Sequence, residues 1–352
     1  MIRAEILKGG LARLTLDRPQ AMNAVTLAMV GEISEALTAW QDDPRVRAVL
    51  VRGAGDKGLS AGGDVVELYE AERDGRHELF VRYNQTEYGN IRRIRAYPKP
   101  YIAFMDGIVM GGGVGLSIHG AYRVLTERTR FAMPEAAIGY FPDVVSTHTL
   151  PRLQGGLGYY LGLTAKSIGV GDCWAAGIGT HVLASDRLDE AEARIREGLA
   201  SNADADVTVQ SALDGLAIAA EPAKLAPHHA RIARAFAAPS VEAILERLDE
   251  DESEWAQATA QAMIRLAPFS LKVTLALLRE GAHLDFEQAM RLEYRVGRRM
   301  SGRADFQEGV KAVLVAKGTP ASWAPARLAD IADHEIAACF APLPRGEGLF
   351  GE

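Results

Sequence analysis

Two glycine-rich segments, each entered from a run of β-branched and apolar residues, constrain this 352-residue chain more than any other feature. The first, Gly53-Ala-Gly-Asp-Lys-Gly-Leu-Ser-Ala-Gly-Gly-Asp64, holds five glycines and follows 46–51. The second, Met110-Gly-Gly-Gly-Val-Gly115, is reached from 101–104 through Asp106-Gly107. A strand that empties into glycines and then into a helix delivers unhindered backbone N–H groups to a helix start, and repetition of that unit implies an α/β domain with helices packed outside its sheets. Neighbouring segments agree. Leu11-Ala-Arg-Leu-Thr-Leu16 alternates and closes at Asp17-Arg-Pro19, a strand ended by a turn. Thr26 stands as the N-cap of an amphipathic helix with Met29, Val30, Ile33, Leu37 and Trp40 on its apolar face. Residues 114–120 read as a short apolar helix, and 122–126 with 130–131 as a pair of short strands. From Leu188 onward strand signals fade and long amphipathic segments take over, for example 241–265 and 286–300. The expected division is an α/β core over 1–190 and a mainly helical region over 191–352. Residues 201–206 and 222–229 read as surface loops, and Asp249-Glu-Asp-Glu252 as a solvated helix face.

Composition narrows the function classes. A formal charge of -7 argues against nucleic acid as a main partner, because phosphate binding needs a basic face. The two cysteines, Cys173 and Cys339, lack metal-like spacing and cannot build a disulfide framework. The opening Met1-Ile-Arg-Ala-Glu5 carries neither a signal-like nor a transit-like pattern, so the expectation is a cytoplasmic protein. The most apolar stretch, 101–122, is interrupted by Asp106 and His119 and holds six glycines, so a buried strand and tight loop are expected there, not a membrane span.

The first glycine segment contains two motifs that lead elsewhere. Gly53-x-Gly55-x-x-Gly58 has the spacing of a dinucleotide-binding turn, but further loop-like residues separate its last glycine from the helix it should open. Gly58-x-Ser60-x-Gly62 has the spacing of a nucleophile elbow, which needs a strand ending at the serine and a helix starting directly after it. The strand is expected to end near Arg52, so Ser60 is not expected to be a nucleophile. What the two loops do offer is amide hydrogens near Gly62 and Gly63 and in the 110–115 loop, enough to supply one donor each to a single oxyanion. Tight packing alone would also explain these glycines. In Phe131-Ala-Met-Pro-Glu-Ala-Ala-Ile-Gly-Tyr-Phe-Pro-Asp143, the prolines and glycine break any long helix and leave Glu135 and Asp143 on short elements in apolar surroundings. An acid there is costly to ionise unless it is paired or used; a helix-cap Glu135 and a turn Asp143 are the structural alternative. His77, His119, His148 and His181 show no metal-ligand spacing.

Taken together, Leu59-Ser-Ala-Gly-Gly-Asp64, Met110-Gly-Gly-Gly-Val-Gly-Leu116 and Met133-Pro-Glu-Ala-Ala-Ile-Gly139 resemble the crotonase (enoyl-CoA hydratase/isomerase) superfamily. The resemblance implies a spiral of ββα units with a helical C-terminal region, and an oxyanion hole for an acyl-CoA carbonyl made by the amides of Gly63 and Gly112, with Ala61, Gly62 and Asp64 lining the substrate. Hydratases of the superfamily usually carry a second glutamate where this chain has Gly115. Ser117-Ile-His-Gly120, Phe141-Pro-Asp143, Leu150-Pro-Arg-Leu153, Ser270-Leu-Lys272, the Glu-Tyr-Arg ending at Arg295, Phe306-Gln-Glu-Gly-Val310 and Trp323 are similar to the branch that hydrolyses 3-hydroxyisobutyryl-CoA in valine catabolism. By that resemblance Glu135 attacks the thioester or activates water, Asp143 contacts the substrate hydroxyl and Glu87 lines the acyl pocket. It implies no metal or redox cofactor, coenzyme A being part of the substrate, and leaves room for a homo-oligomer. Val144-Val145 departs from the glycines common in the branch after Phe-Pro-Asp. An enoyl-CoA hydratase or isomerase using Glu135 alone, and a non-catalytic acyl-CoA-binding protein, are the alternatives; crotonyl-CoA turnover marks the first and acyl-CoA binding without turnover the second.

Overall fold

A computed structural model describes residues 1–351 apart from 202 and 317. Nine strands are present among them: β1 (Ile2–Ile6), β2 (Leu11–Leu16), β3 (Ala48–Gly53), β4 (Gly58–Ser60), β5 (Tyr101–Met105), β6 (Ile108–Met110), β7 (Tyr122–Leu125), β8 (Arg130–Ala132) and β9 (His181–Val182). Six form a sheet in the order β1-β2-β3-β5-β7-β9, antiparallel only between β1 and β2, and β4-β6-β8 form a second, three-stranded sheet. Parallel strands need crossover helices that cover both faces, and β3 and β5 are accordingly buried along most of their length. One face of the large sheet, including Leu11, Leu50, Ile102, Phe104 and Val124, packs with Leu188, Ile195, Leu199, Val209 and Leu213 from the helices Leu188–Leu199 and Ala205–Asp214. This is the α/β crotonase-type architecture expected.

The chain forms two compact units that interleave along the sequence. One comprises Met1–Asp64, Thr86–Phe131 and Ile168–Lys224, and the other Val65–Gln85, Ala132–Ser167 and Leu225–Glu352. Neither unit has a border at the expected cut of 190, because a segment from the middle of the chain packs with the C-terminal helices.

Several local expectations hold. The Thr26 hydroxyl accepts the Met29 N–H at 3.2 Å, and the five apolar residues named for the helix Leu27–Gln41 are its buried face. Others are corrected. Residues 53–63 are not all loop, because β4 lies within them. The one-turn helix of the second glycine segment is Gly112–Gly115, earlier than the expected 114–120. The amphipathic run 241–265 breaks into Val241–Asp249 and Glu254–Ile264, so Asp249 ends the first helix and 250–252 connect the two instead of forming a helix face; Ser253 caps the second helix by accepting the Ala256 N–H. Within 201–206, residue 202 lies outside the described residues. Among the described residues no single helix is long and apolar enough to cross a membrane.

Candidate active site

In the first unit the geometry is set by hydrogen bonds that engage the amides on either side of Gly63 in the first glycine loop. Ala61 N–H donates to the Met22 carbonyl at 3.0 Å, Gly62 N–H to Ser60 Oγ at 3.1 Å, and Asp64 N–H to the Val25 carbonyl at 2.8 Å. Val25 N–H in turn donates to the Gly62 carbonyl at 2.9 Å. That bridge leaves the Gly63 N–H outside the ladder. Gly62 has φ +111°, a conformation closed to residues with a side chain, and a Cβ there would stand 3.5 Å from Gly112 N. The two glycine loops therefore meet backbone to backbone. Gly112 is the first residue of its helix, a position whose N–H has no intrahelical acceptor. A Cβ on Gly112 would lie 2.9 Å from Glu87 Oε1 and 3.3 Å from Gly63 N. Gly63, Gly112 and Glu87 thus converge, as expected. The carboxylate of Asp64, by contrast, is held by Arg18 at 2.9 Å, a clamp on the loop.

Ser60 ends strand β4, closer to the elbow pattern than expected, but the helix after it starts only at Val65. Its hydroxyl is fully buried and donates to the Asn23 carbonyl at 2.9 Å, so its role is to tie the loop. Both cysteines are buried free thiols, and burial pushes each up.

In the second unit Glu135 opens a 3-10 turn, Glu135–Ile138, that Gly139 ends at φ +73°; a Cβ on Gly139 would collide with the Asp305 carbonyl at 2.2 Å. Tyr140, stacked on Phe141 with ring centroids 4.5 Å apart, keeps the surroundings apolar, and Glu135 is 7% exposed. Asp143 then enters a turn formed by Val144 (φ 54°) and Val145 (φ 66°). Two β-branched residues in the left-handed region cost on the order of 1–3 kcal/mol each and persist only where the surroundings hold them. The holder is Glu293, which the sequence reading cited only within the Glu-Tyr-Arg ending at Arg295 and gave no role. Val145 N–H donates to Glu293 Oε2 at 2.6 Å, and Thr147 N–H to Glu293 Oε1 at 2.6 Å. Glu293 lies on the helix Phe286–Met300, which an Asp285/Gln288 capping box starts, and is 0% exposed. Its signal was present in the sequence: it shares the buried face with Met290, Gly297 and Met300, where a charge is out of place.

Burial pushes both acids up, Asp143 to about 7, and the Asp143 charge adds to the rise at Glu293. Asp143 nevertheless keeps part of its surface open. Among the described residues no cluster of histidine, cysteine and acidic side chains has metal-holding geometry.

Comparison with known proteins agrees with this arrangement. Residues 11–340 match the model of the family described as enoyl-CoA hydratase/isomerase. The chain is 38% identical over 342 residues to the mitochondrial 3-hydroxyisobutyryl-CoA hydrolase of Gallus gallus, covering 96% of this chain and 88% of that one. It is 37% identical over 334 residues to the enzyme of the same name from Homo sapiens, covering 94% and 86%. Among solved structures, a carnitinyl-CoA dehydratase from Mycobacterium thermoresistibile is similar with a TM-score of 0.91 and 37% identity, covering 100% of this chain and 99% of that one. An enoyl-CoA hydratase from Rhodobacter sphaeroides 2.4.1 follows at 0.89 and 34%, covering 99% of each. The expected cytoplasmic location is overturned, since these hydrolases are named as mitochondrial proteins. That expectation rested on the composition of the first residues, which does not determine a compartment.

Proposed function

We propose that this chain, which belongs to the enoyl-CoA hydratase/isomerase family, hydrolyses the thioester of 3-hydroxyisobutyryl-CoA to the hydroxy acid and free coenzyme A. The observation that carries the reading is the convergence of Gly63 N–H and Gly112 beside Glu87, two backbone donors where a thioester oxygen would gain charge. Glu135 attacks the carbonyl carbon, or removes a proton from the water that does. The carbonyl oxygen becomes an oxyanion received by the two amides, the C–S bond breaks, and coenzyme A leaves as the thiol after taking a proton. If Glu135 is the nucleophile, water then opens the acyl-enzyme anhydride and restores the carboxylate. Asp143 engages the substrate's β-hydroxyl, Glu87 lines the acyl pocket, and Ala61, Gly62 and Asp64 shape the loop around the thioester. The reaction as written draws on no metal or redox cofactor.

A hydratase or dehydratase reading is favoured by the names of the two similar structures. Against it stands Gly115, buried in its one-turn helix, at the position where hydratases of the superfamily usually carry a second glutamate. Incubation with 3-hydroxyisobutyryl-CoA and with crotonyl-CoA separates the two: thiol release from the first is the expected result, and loss of the enoyl absorbance of the second without thiol release overturns the hydrolase reading. Acyl-CoA binding with no turnover at all would leave a binding protein. Light scattering tests assembly into a homo-oligomer.

A further inference from the structure

Glu293 is the most completely enclosed acid of the second unit, with both oxygens engaged at 2.6 Å. Its partners are the amides on either side of Ser146, whose own N–H donates to the Asp143 carbonyl at 2.9 Å. The turn after Asp143 is therefore closed from two directions, and every bond in it bears on where Asp143 sits. Successive amide hydrogens in a left-handed turn make a concavity suited to an anion, and here the anion is a side chain of the protein itself.

Glu293 holds the amides two and four residues past Asp143, near enough that the Asp143 charge raises it; two enclosed carboxyls that feel each other in this way hold one proton between them near neutrality. Placement of that proton follows from the hydrogen bonds. Glu293 accepts an N–H on each oxygen, the bonding of a carboxylate anion, whereas a protonated Glu293 would turn its hydroxyl hydrogen toward one of those N–H groups. Other charges near the pair are engaged elsewhere. On the helix of Glu293, Arg295 and Arg299 bond backbone carbonyls and Arg298 bonds Glu347. The helix Asp333–Phe340, packed on its other side, brings Asp333, His334 and Glu335 at exposed or half-exposed positions. Beside the 146–149 turn, His148 meets Phe286 edge-on, and Arg152 donates to the His148 and Gly281 carbonyls. On the helix Pro268–Gly281, Lys272 pairs with Glu242, Arg279 bonds the carbonyls of Ala238 and Pro239, and Glu280 adds one more acid beyond the turn.

The geometry points to Glu293 as a positioning residue for Asp143: its carboxylate holds the left-handed turn by two amides and, beside Asp143, keeps a proton on that acid. Asp143 then meets the substrate as a neutral carboxyl, able both to donate to and to accept from a hydroxyl, and adds no second negative charge where a carboxylate product forms. Burial raises both acids, in keeping with one proton held by the pair, and the two N–H bonds to Glu293 are what place it on Asp143. The inference rests on the hydrolase reading only for what Asp143 contacts.

The test compares wild type, Glu293→Gln, Asp143→Asn and the double variant for thiol release from 3-hydroxyisobutyryl-CoA across about pH 5 to 9. Wild type loses kcat as Asp143 gives up its proton. Glu293→Gln removes the neighbouring charge and moves that limb to lower pH by about one unit or more, read as a roughly tenfold drop at a fixed pH on the limb. Asp143→Asn lacks the limb, and Glu293→Gln adds no further shift in that background. A limb that stays in place in Glu293→Gln, with only a uniform fall in kcat, overturns the inference in favour of a purely structural role. Should the variants not fold, difference infrared spectroscopy of substrate-free wild type, with carboxyl carbon-13 label in aspartate or in glutamate, decides instead. A protonated-carboxyl band at neutral pH that moves with the aspartate label supports the assignment, and one that moves with the glutamate label, or no band, overturns it. Absence of thiol release from every β-hydroxyacyl-CoA sinks the hydrolase reading separately, because the infrared result needs no substrate.

Discussion

Gly112→Ala places one methyl group into the space that the proposed oxyanion must occupy. An oxygen accepting from Gly63 N–H sits about 2.9 Å from that nitrogen. The new Cβ would lie 3.3 Å from the same nitrogen and 2.9 Å from Glu87 Oε1, so methyl and oxyanion cannot share the site. The Glu87 carboxyl is the end of a flexible side chain and can withdraw, but the Gly63 backbone is fixed by its neighbours' bonds to Val25. Loss of one donor from such a hole typically costs ~10²- to 10³-fold in rate, about 2.7–4 kcal/mol. Stability moves differently. Gly112 does not adopt a left-handed backbone, and alanine is favoured over glycine in a helix by up to ~1 kcal/mol, which offsets the crowding. The expected result is kcat/KM for thiol release lowered about a hundredfold or more, with a denaturant midpoint close to wild type. Gly113→Ala is the control, because its Cβ would strike the Ser60 carbonyl oxygen at 2.8 Å, backbone that cannot move aside. That variant is expected to lose about 1–3 kcal/mol of stability. Turnover of Gly112→Ala within about threefold of wild type, in a folded protein, would refute the assignment of Gly112 to the oxyanion.

Glu135→Gln keeps the volume but removes the nucleophile or base, and thiol release is expected to fall about 10²- to 10⁴-fold; a variant that retains wild-type kcat places the chemistry elsewhere. Ser60→Ala leaves kcat almost unchanged and lowers stability by about 1 kcal/mol, the worth of its buried hydrogen bonds; abolished activity in a folded variant would restore the serine as a nucleophile. Asp143, raised from 3.8 to about 7 by burial, binds its proton more tightly in the folded chain than in the unfolded one. Folding stability from this group is therefore full below about pH 3.8 and declines as pH rises toward about 7, by an amount on the order of a few kcal/mol. Urea melts of wild type and Asp143→Asn should show a flatter pH dependence for the variant, and equal slopes would contradict the shift. Dialysis against EDTA is expected to leave thiol release intact, and activity restored only by an added divalent metal would overturn the metal-free reaction.

Much of the site was readable because its chemistry is carried by local patterns. Glycines at 62, 63 and 112, and acids set among proline and aromatic residues at 135 and 143, declare themselves within a few neighbours. The three-residue strands β4 and β6 did not, since Gly58-Leu59-Ser60 has no alternation to detect and becomes a strand only by pairing with Ile108–Met110. The division at 190 misled because hydrophobic period marks where helices begin, not which part of the chain they pack on. Val144-Val145 departs from the glycines of the branch in sequence, but that both residues stand at φ values which glycine adopts freely shows only in the fold. Glu293 was missed because its meaning is wholly nonlocal, 148 residues from the amide it holds.

That separation has a consequence for how the protein becomes active during synthesis. A growing chain that has passed residue 143 already contains both proposed acids and both glycine loops, yet the carboxylate that bends Val144 and Val145 has not been made. Until the helix Phe286–Met300 is complete, the strained turn has no tether and Asp143 has no fixed address. The turn beside Asp143 thus acquires its tether only once more than four-fifths of the chain has been made.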